Sequence, residues 1–359
     1  MTKKVKIFGI GLLSFVAAAA LAVTFFTLQF VNSGVSTNTT EIIFEIPPGT
    51  SLTQIALNLQ NKGLIRNGKL FLMYSRLKKM NSRLKVGEYS LNQAMTPNEI
   101  LEVLVSGKSI TRNLTIAEGL SLFDIAEILE KSGVGTQKEF FALAYDKDFI
   151  KSLLNEDLES LEGYLFPETY KITKYESIKS IVAQMVKRFV TVWSRYEDVT
   201  KQKKWSRNQL ITFASIVEKE TGAAFERPMV SSVFHNRLAK KMRLQTDPTV
   251  IYGVALKSGM MPFNITKADL LTPTRHNTYT NYGLPPTPIA NPGEDAIRAS
   301  LQPANTKFLY FVSRNDGTHV FSENFEKHND AVKDFQLNSK ARNGKSWRDL
   351  EKNKVAPKQ

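Results

Sequence analysis

The spacing of apolar positions divides this chain into segments of different kinds. From Ile7 to Val31 no residue is charged, and the polar exceptions are Ser14, Thr24, Thr27 and Gln29. That run exceeds the ~20 residues a helix needs to cross a bilayer. Lys3, Lys4 and Lys6 precede it, so the pattern predicts a transmembrane helix with a cytoplasmic amino end and an external carboxy end. Ala18–Ala20 could mimic a signal-cleavage site, but the run continues through Val23, Phe25, Phe26 and Phe30, which a cleaved signal does not require. An uncleaved anchor is therefore expected. No second run approaches this length, so the remainder is expected to form an extracytoplasmic body.

Beyond a polar linker, Ser33 to Thr40, the pattern repeats. Ile46-Pro47-Pro48-Gly49-Thr50-Ser51-Leu52-Thr53-Gln54-Ile55-Ala56 returns 70 positions later as Ile116-Ala117-Glu118-Gly119-Leu120-Ser121-Leu122-Phe123-Asp124-Ile125-Ala126, and Leu59 and Gly63 return as Leu129 and Gly133. Each copy predicts a strand (Ile42–Ile46, Asn113–Ala117), a Gly turn, a Ser N-cap and a short helix ending at Gly. The first copy, closing with Val86–Leu91 as a strand, resembles the LysM module, a small βααβ unit that binds N-acetylglucosamine-containing glycans.

After Leu158 the character changes. Residues 161–170 form an aromatic, loop-like stretch. Ile178, Ile181, Val182, Met185, Phe189 and Val192 make the apolar stripe of a helix from Ser177 to about Glu197. A second helix is expected from Ser206 to Glu220 and a third from Arg227 to Lys240. Asp247 to Pro303 is rich in Pro and Asn and reads as turns. Phe308–Ser313 and Thr318–Ser322 read as strands flanking the turn Arg314–Gly317, and Asn324–Phe335 as a last helix. The expected plan is α+β: residues 1–32 as cytoplasmic tip and anchor, 33–41 as linker, 42–108 as a LysM-like unit, 109–158 as a second small α/β segment, 159–341 as a larger α+β catalytic domain, and 342–359 as a basic tail.

Composition narrows the chemistry. The formal charge is +14, which suits an anionic polymer, anionic lipid or nucleic acid. An external location disfavours nucleic acid as the partner. There is no cysteine, which excludes a thiol nucleophile, a zinc ribbon and a disulfide scaffold. His235, His276, His319 and His328 show no paired ligand spacing, so no metal is expected.

The helix ending at Glu220 is apolar nearly all round, as a buried helix would be. Its last turn carries Glu218, over Ala214 and Ile211 with Ser215 beside it, and Glu220, over Ile216 and Phe213. Burial and the negative end of the helix dipole both favour a protonated carboxyl, which is what a general acid needs. The pattern does not choose between them. Downstream, Asn236 and Arg237 on the third helix and Gln245, Asp247, Tyr252, Asn277 and Tyr279 in the region beyond it belong to stretches dense in hydrogen-bonding side chains, and proline-rich loops of that kind suit a sugar-binding cleft.

Four stretches then carry a resemblance: Glu162-Gly163-Tyr164-Leu165-Phe166-Pro167-Glu168-Thr169-Tyr170; Ala214-Ser215-Ile216-Val217-Glu218-Lys219-Glu220-Thr221; Arg243-Leu244-Gln245-Thr246-Asp247-Pro248-Thr249-Val250-Ile251-Tyr252-Gly253; and Asn277-Thr278-Tyr279 with Gly283-Leu284-Pro285-Pro286. In this order they resemble the YceG-like family of endolytic peptidoglycan lytic transglycosylases. His276 departs from the family, which commonly has Tyr there. The resemblance covers nearly the whole chain. It implies cleavage of the β-1,4 bond between N-acetylmuramic acid and N-acetylglucosamine in nascent glycan strands, leaving 1,6-anhydromuramoyl ends and terminating strand elongation. It ranks Glu218 as the catalytic acid/base, with Gln245, Asp247, Tyr252, Asn277 and Tyr279 on the substrate and Ser215, Glu220, Asn236 and Arg237 in support. No cofactor is implied. The implied partners are glycan strands, the cytoplasmic (inner) membrane, crossed once with the bulk on the periplasmic side, and peptidoglycan synthases.

Three other readings compete. A hydrolase would use Asp247 or Glu220 as a second carboxylate. A wall-binding scaffold would not depend on Glu218 at all. A pyridoxal-phosphate lyase, a label that relatives have carried, fits poorly with an anchored external body.

Overall fold

The computed structural model describes Leu21, Phe25 and residues 27–80 and 82–338. Most of the apolar run Ile7–Val31 lies outside the described residues, as does the tail from 342. Among the described residues no helix is long and apolar enough to cross a membrane.

The chain is α+β and divides into two compact units, residues 1–113 with 171–176 and residues 114–170 with 177–359. The first contains β1 (Ile42–Ile46), α1 (Leu52–Asn61), α2 (Gly68–Leu77), β2 (Gly87–Leu91) and α3 (Pro97–Ser106). β1 and β2 pair antiparallel, from Ile42 opposite Leu91 to Ile46 opposite Gly87. Phe44, Ile46, Leu59, Phe71, Tyr89, Leu91 and Leu101 form its core.

β3 (Thr111–Thr115) pairs with β4 (Thr169–Thr173). The second unit continues with α4 (Leu122–Lys131), α5 (Gln137–Ala144), α6 (Lys147–Leu154), α7 (Ile178–Trp193), α8 (Glu197–Gln202), α9 (Arg207–Glu220), α10 (Arg227–Ala239), α11 (Asp247–Ser258), α12 (Lys267–Leu271) and α13 (Glu294–Leu301). It closes with the antiparallel hairpin β5 (Tyr310–Ser313) and β6 (His319–Ser322) and with α14 (Phe325–Val332).

Both copies of the repeat fold alike. Ser51 and Ser121 are N-caps, accepting from the N–H groups of Gln54 and Asp124, and Gly49 and Gly119 both turn the chain at positive φ. The second strand begins two residues earlier than the spacing suggests. The region 247–303, read as turns, holds three helices. Pro248 and Pro292 misled that reading. Pro248 occupies the first turn of α11, where no intrahelical N–H partner is lost, and Pro292 precedes α13. Likewise, β4 emerges at the end of the stretch expected to be loop.

α9 is buried over most of its length, from Leu210 to Glu218, and packs chiefly on α13. Its neighbourhood is held by a polar node in the core. Asn291, fully buried, donates from Nδ2 to the Leu120 carbonyl (2.9 Å) and Glu162 Oε1 (3.1 Å), and its Oδ1 accepts from the Leu165 N–H (2.8 Å). Glu162 Oε2 accepts from the Leu122 N–H (2.9 Å). Burial outweighs these donors and raises the Glu162 carboxyl to about 8. The node joins the turn before α4, the 160–166 loop and the segment entering α13. Asn291→Ala is expected to strand the Leu165 N–H and Glu162 Oε1 inside the core, at a cost on the order of 3 kcal/mol. A urea titration measures this; a midpoint and slope equal to wild type would show that the node is dispensable.

Candidate active site

α9 starts at a capping box, with the Ser206 hydroxyl accepting from the Gln209 N–H and the Gln209 side chain accepting from the Ser206 N–H. It ends where Thr221 turns extended. Its last turn holds both candidate carboxyls. Residues two apart on a helix point roughly 200° apart, so Glu218 and Glu220 face different surroundings.

Glu218 faces inward, with 5% of its side chain exposed. Oε1 accepts from Arg227 Nη2 (2.8 Å) and Oε2 from the Gly293 N–H (3.0 Å) at the N-cap of α13. The same Arg227 nitrogen lies 3.4 Å from Glu118, a carboxyl half exposed to solvent. Burial and the nearby Glu218 charge raise Glu118, against the pull of Arg227. Glu118 also lies so close to Gly293 that a Cβ there would collide with its oxygen. Lys219 adds a bond from Nζ to the Gly119 carbonyl (3.0 Å). Instead of apolar neighbours, Glu218 therefore has a guanidinium and a backbone N–H. It joins α9 to the starts of α10 and α13.

Glu220 faces a cleft of about 380 Å³ lined by Gln245, Asp247, Tyr279, Arg237, Tyr310 and Phe325 among others. It is partly exposed there. Burial pushes its carboxyl up to about 7 and the Asp247 charge adds to this, while a hydrogen bond from the Thr246 hydroxyl and the Arg237 charge pull the other way. Tyr279 donates from its hydroxyl to Asp247 Oδ1 (2.6 Å). Gln245 holds φ +50, in the left-handed region that side chains other than Gly rarely adopt. Backbone strain of this kind gathers at functional sites. Arg237 donates to the carbonyls of Leu309 (2.7 Å) and Leu244 (2.6 Å), and so fixes both banks of the cleft.

The cleft thus unites Gln245, Asp247, Tyr279, Glu220 and Arg237. The other expected residues lie elsewhere. Asn277 is fully buried: its Nδ2 donates to carbonyls around the end of α12 (Leu270, 3.0 Å; Thr272, 2.8 Å), and its Oδ1 accepts from the Tyr279 N–H (2.8 Å). It shapes the loop that presents Tyr279 and has no free polar atom for a sugar. Tyr252 packs edge-on against Phe123 and His276 and is 2% exposed, so the core holds it. Ser215 is buried too, bonded to the Thr212 carbonyl and the Ile289 N–H. Asn236 holds the carbonyls of Thr306 and Phe308 ahead of β5. His276 bonds Thr287 (2.8 Å), and burial lowers its ring to about 4, leaving it neutral in the core.

Sequence reasoning missed Asn291, Glu118 and Arg227. The Asn-Pro-Gly turn at 291–293 marked a special backbone site, but nothing local marked what it would bind. Among the described residues no group of three or more His, Cys, Asp or Glu could hold a metal ion.

The chain is similar to known proteins over most of its length. Residues 44–334 match the model of the YceG-like family. An endolytic murein transglycosylase of Bacillus subtilis is 34% identical over 311 residues, covering 82% of this chain and 85% of that protein. One of Streptococcus pneumoniae is 32% identical over 327 residues, covering 82% of this chain and 58% of that longer protein. The crystal structure of a YceG-like protein of Listeria monocytogenes superposes with a TM-score of 0.55 at 34% identity, covering 82% of this chain and all of the other. With a matching family model over most of its length and relatives of this similarity, the chain belongs to the YceG-like family.

Proposed function

We propose that this protein is an endolytic murein transglycosylase and that Glu220 is its acid/base. The observation that carries the assignment is the place of Glu220 in the cleft that also gathers Gln245, Asp247 and Tyr279, where burial pushes its carboxyl up to about 7. A group poised there holds a proton near neutral pH and can give it up. Glu220 protonates the oxygen that links N-acetylmuramic acid to N-acetylglucosamine, and the bond from the muramoyl anomeric carbon to that oxygen breaks. The muramoyl 6-hydroxyl then attacks the anomeric carbon and passes its proton to the Glu220 carboxylate. A 1,6-anhydro ring forms, no water is consumed and the acid is restored. The substrate supplies the nucleophile, so a second catalytic carboxylate is not needed. Tyr279 and Asp247 bind as a pair, and Gln245 presents an amide to the acetamido groups.

Glu218 is the alternative acid/base, on the family resemblance. Its two donors and its burial favour a structural role instead. A hydrolytic reading also has one observation behind it, since Asp247 shares the cleft with Glu220. Product chemistry decides, because hydrolysis leaves reducing ends.

The rest of the plan follows the same reading. Residues 1–32 tether the enzyme to the cytoplasmic membrane with the bulk of the chain outside, and 33–41 link the anchor to a LysM-like unit at 42–108. The strand, two helices and strand of that unit, in antiparallel pairing, support a glycan-holding role. Residues 109–158 and 159–341 together carry the cleft, and peptidoglycan synthases are the partners that would feed it nascent strands.

Two outcomes test the assignment. Digestion of purified peptidoglycan by Glu220→Gln should fall by about 10³-fold with the fold intact. Glu218→Gln should keep making anhydromuramoyl ends, but with stability reduced on the order of 3 kcal/mol, because Arg227 loses its charged partner inside the core. A fully stable, inactive Glu218→Gln beside an active Glu220→Gln would return the role to Glu218. For the wild type, an acid near 7 must be protonated to work, so kcat/KM should stay level below pH 7 and fall about ten-fold per unit above it. A descending limb near pH 4.5 would instead mark an unshifted carboxyl as the acid.

A further inference from the structure

The cleft has a second kind of lining that the acid/base chemistry does not use. Tyr310 on β5 and Phe325 and His328 on α14 form a continuous aromatic surface. Tyr310 stacks on His328 (centroids 5.1 Å, planes 22° apart) and meets Phe325 edge-on at 6.0 Å. The Arg237 guanidinium sits 5.3 Å from the Tyr310 ring centre and backs the group. Phe325 and His328 are three residues apart, so one helix face presents both.

This surface is held in place. Asn324 caps α14, accepting from the Lys327 N–H (3.0 Å). The β5–β6 hairpin is pinned through Glu226, which accepts from the His319 backbone N–H (2.9 Å) and contacts its ring (2.7 Å). Asn315 and Gln336 tie the hairpin to the turn after α14. Yet Phe325 is 63% exposed, a large apolar ring presented to the cleft by rigid neighbours. His328 Nδ1 is buried and has no hydrogen-bond partner. Burial and the nearby Arg237 lower this imidazole, which favours the neutral ring stacked on Tyr310.

A pyranose suits both linings at once. Its axial C–H bonds make an apolar face, and its rim carries hydroxyls and, in a hexosamine, an acetamido group. Rigid rings take the face, and Glu220, Asp247, Tyr279 and Gln245 take the rim. We propose that Tyr310, Phe325 and His328 form a saccharide-stacking subsite that seats a hexosamine ring next to the bond being cut, with Phe325 under the ring and the stacked Tyr310 and His328 rings beside it. This rests on the reading of the cleft as a glycan site, and it assigns the aromatic residues to substrate positioning.

The test uses the full chain in detergent. With uncrosslinked glycan strands as substrate, Phe325→Ala should raise KM about ten-fold and leave kcat within about two-fold. Phe325→Tyr should restore KM, and the pH limb should stay where it is. Phe325 is exposed, so its truncation leaves the fold intact, and unchanged thermal unfolding checks this. An unchanged KM, a loss confined to kcat, or failure of Phe325→Tyr to rescue would overturn the subsite. A binding measurement separates this proposal from the reaction itself. Chitotetraose, an N-acetylglucosamine tetramer, should bind the Glu220→Gln variant, and binding should weaken about ten-fold when Phe325→Ala is added. If wild type yields no anhydromuramoyl ends but this binding difference holds, the subsite stands and the reaction assignment falls. If anhydromuramoyl ends form but Phe325→Ala changes neither KM nor binding, the subsite falls and the reaction stands.

Discussion

The second unit depends on a buried polar node that satisfies itself. Asn291 and Glu162 together serve backbone groups of residues 120, 122 and 165, so that the turn before α4, the 160–166 loop and the segment entering α13 meet at one node. Polar groups placed in a core cost several kcal/mol unless each finds a partner. Once satisfied, they specify one arrangement more sharply than apolar packing does. The turn at Gly119 lies against Glu218 and Lys219, so fixing that turn also fixes the end of α9. The turn of helix that carries Glu220 is thereby positioned by residues outside the cleft it faces.

The end of α9 sends its charges in opposite directions. On one side Glu218 meets Arg227 and the N-cap N–H of α13, a closed contact with both carboxylate oxygens engaged. On the other, Glu220 meets a hydroxyl and a cleft. Both carboxyls belong to one short motif and lie near the same helix dipole, yet only one remains open to a ligand. The closed pair ties the helix end to its neighbours, and the open carboxyl faces the cleft. A general acid needs this division, because its proton must reach a bond whose position is set to within fractions of an ångström.

Much of this was legible in the chain. The Ser caps at 51, 121, 177 and 206 located four helices, because a cap is a local signal with a local cause. The buried character of α9 followed from its unbroken apolar composition. The separation of Glu218 from Glu220 was also available, since residues two apart on a helix do not share a face. Other features were not legible, for physical reasons. Asn277 and Gln245 are both amides in polar loops, and nothing in their neighbours says that one amide is spent on the carbonyls around α12 while the other is strained into a cleft. That depends on where the chain returns, and so on tertiary structure. Tyr252 was drawn into the core by the same apolar surroundings, Phe123 among them, that its motif does not contain. The prolines at 248 and 292 signalled turns because a Pro at a helix start and a Pro in a loop look alike until the next turn of chain is placed.

The cleft also clarifies why the enzyme needs no second catalytic carboxylate although it has one at hand. Asp247 stands in the same cleft as Glu220, which is the inventory of a hydrolase. However, Asp247 is already committed to the Tyr279 hydroxyl at 2.6 Å, and its charge is among the influences that raise Glu220. An anion in that role tunes the acid and orients a phenol. The sugar's own 6-hydroxyl is tethered to the anomeric carbon it attacks, which gives it the advantage of an intramolecular reaction over any water entering from solvent. An apolar platform under the ring strengthens that advantage, because the surface that holds the sugar also excludes the competing nucleophile.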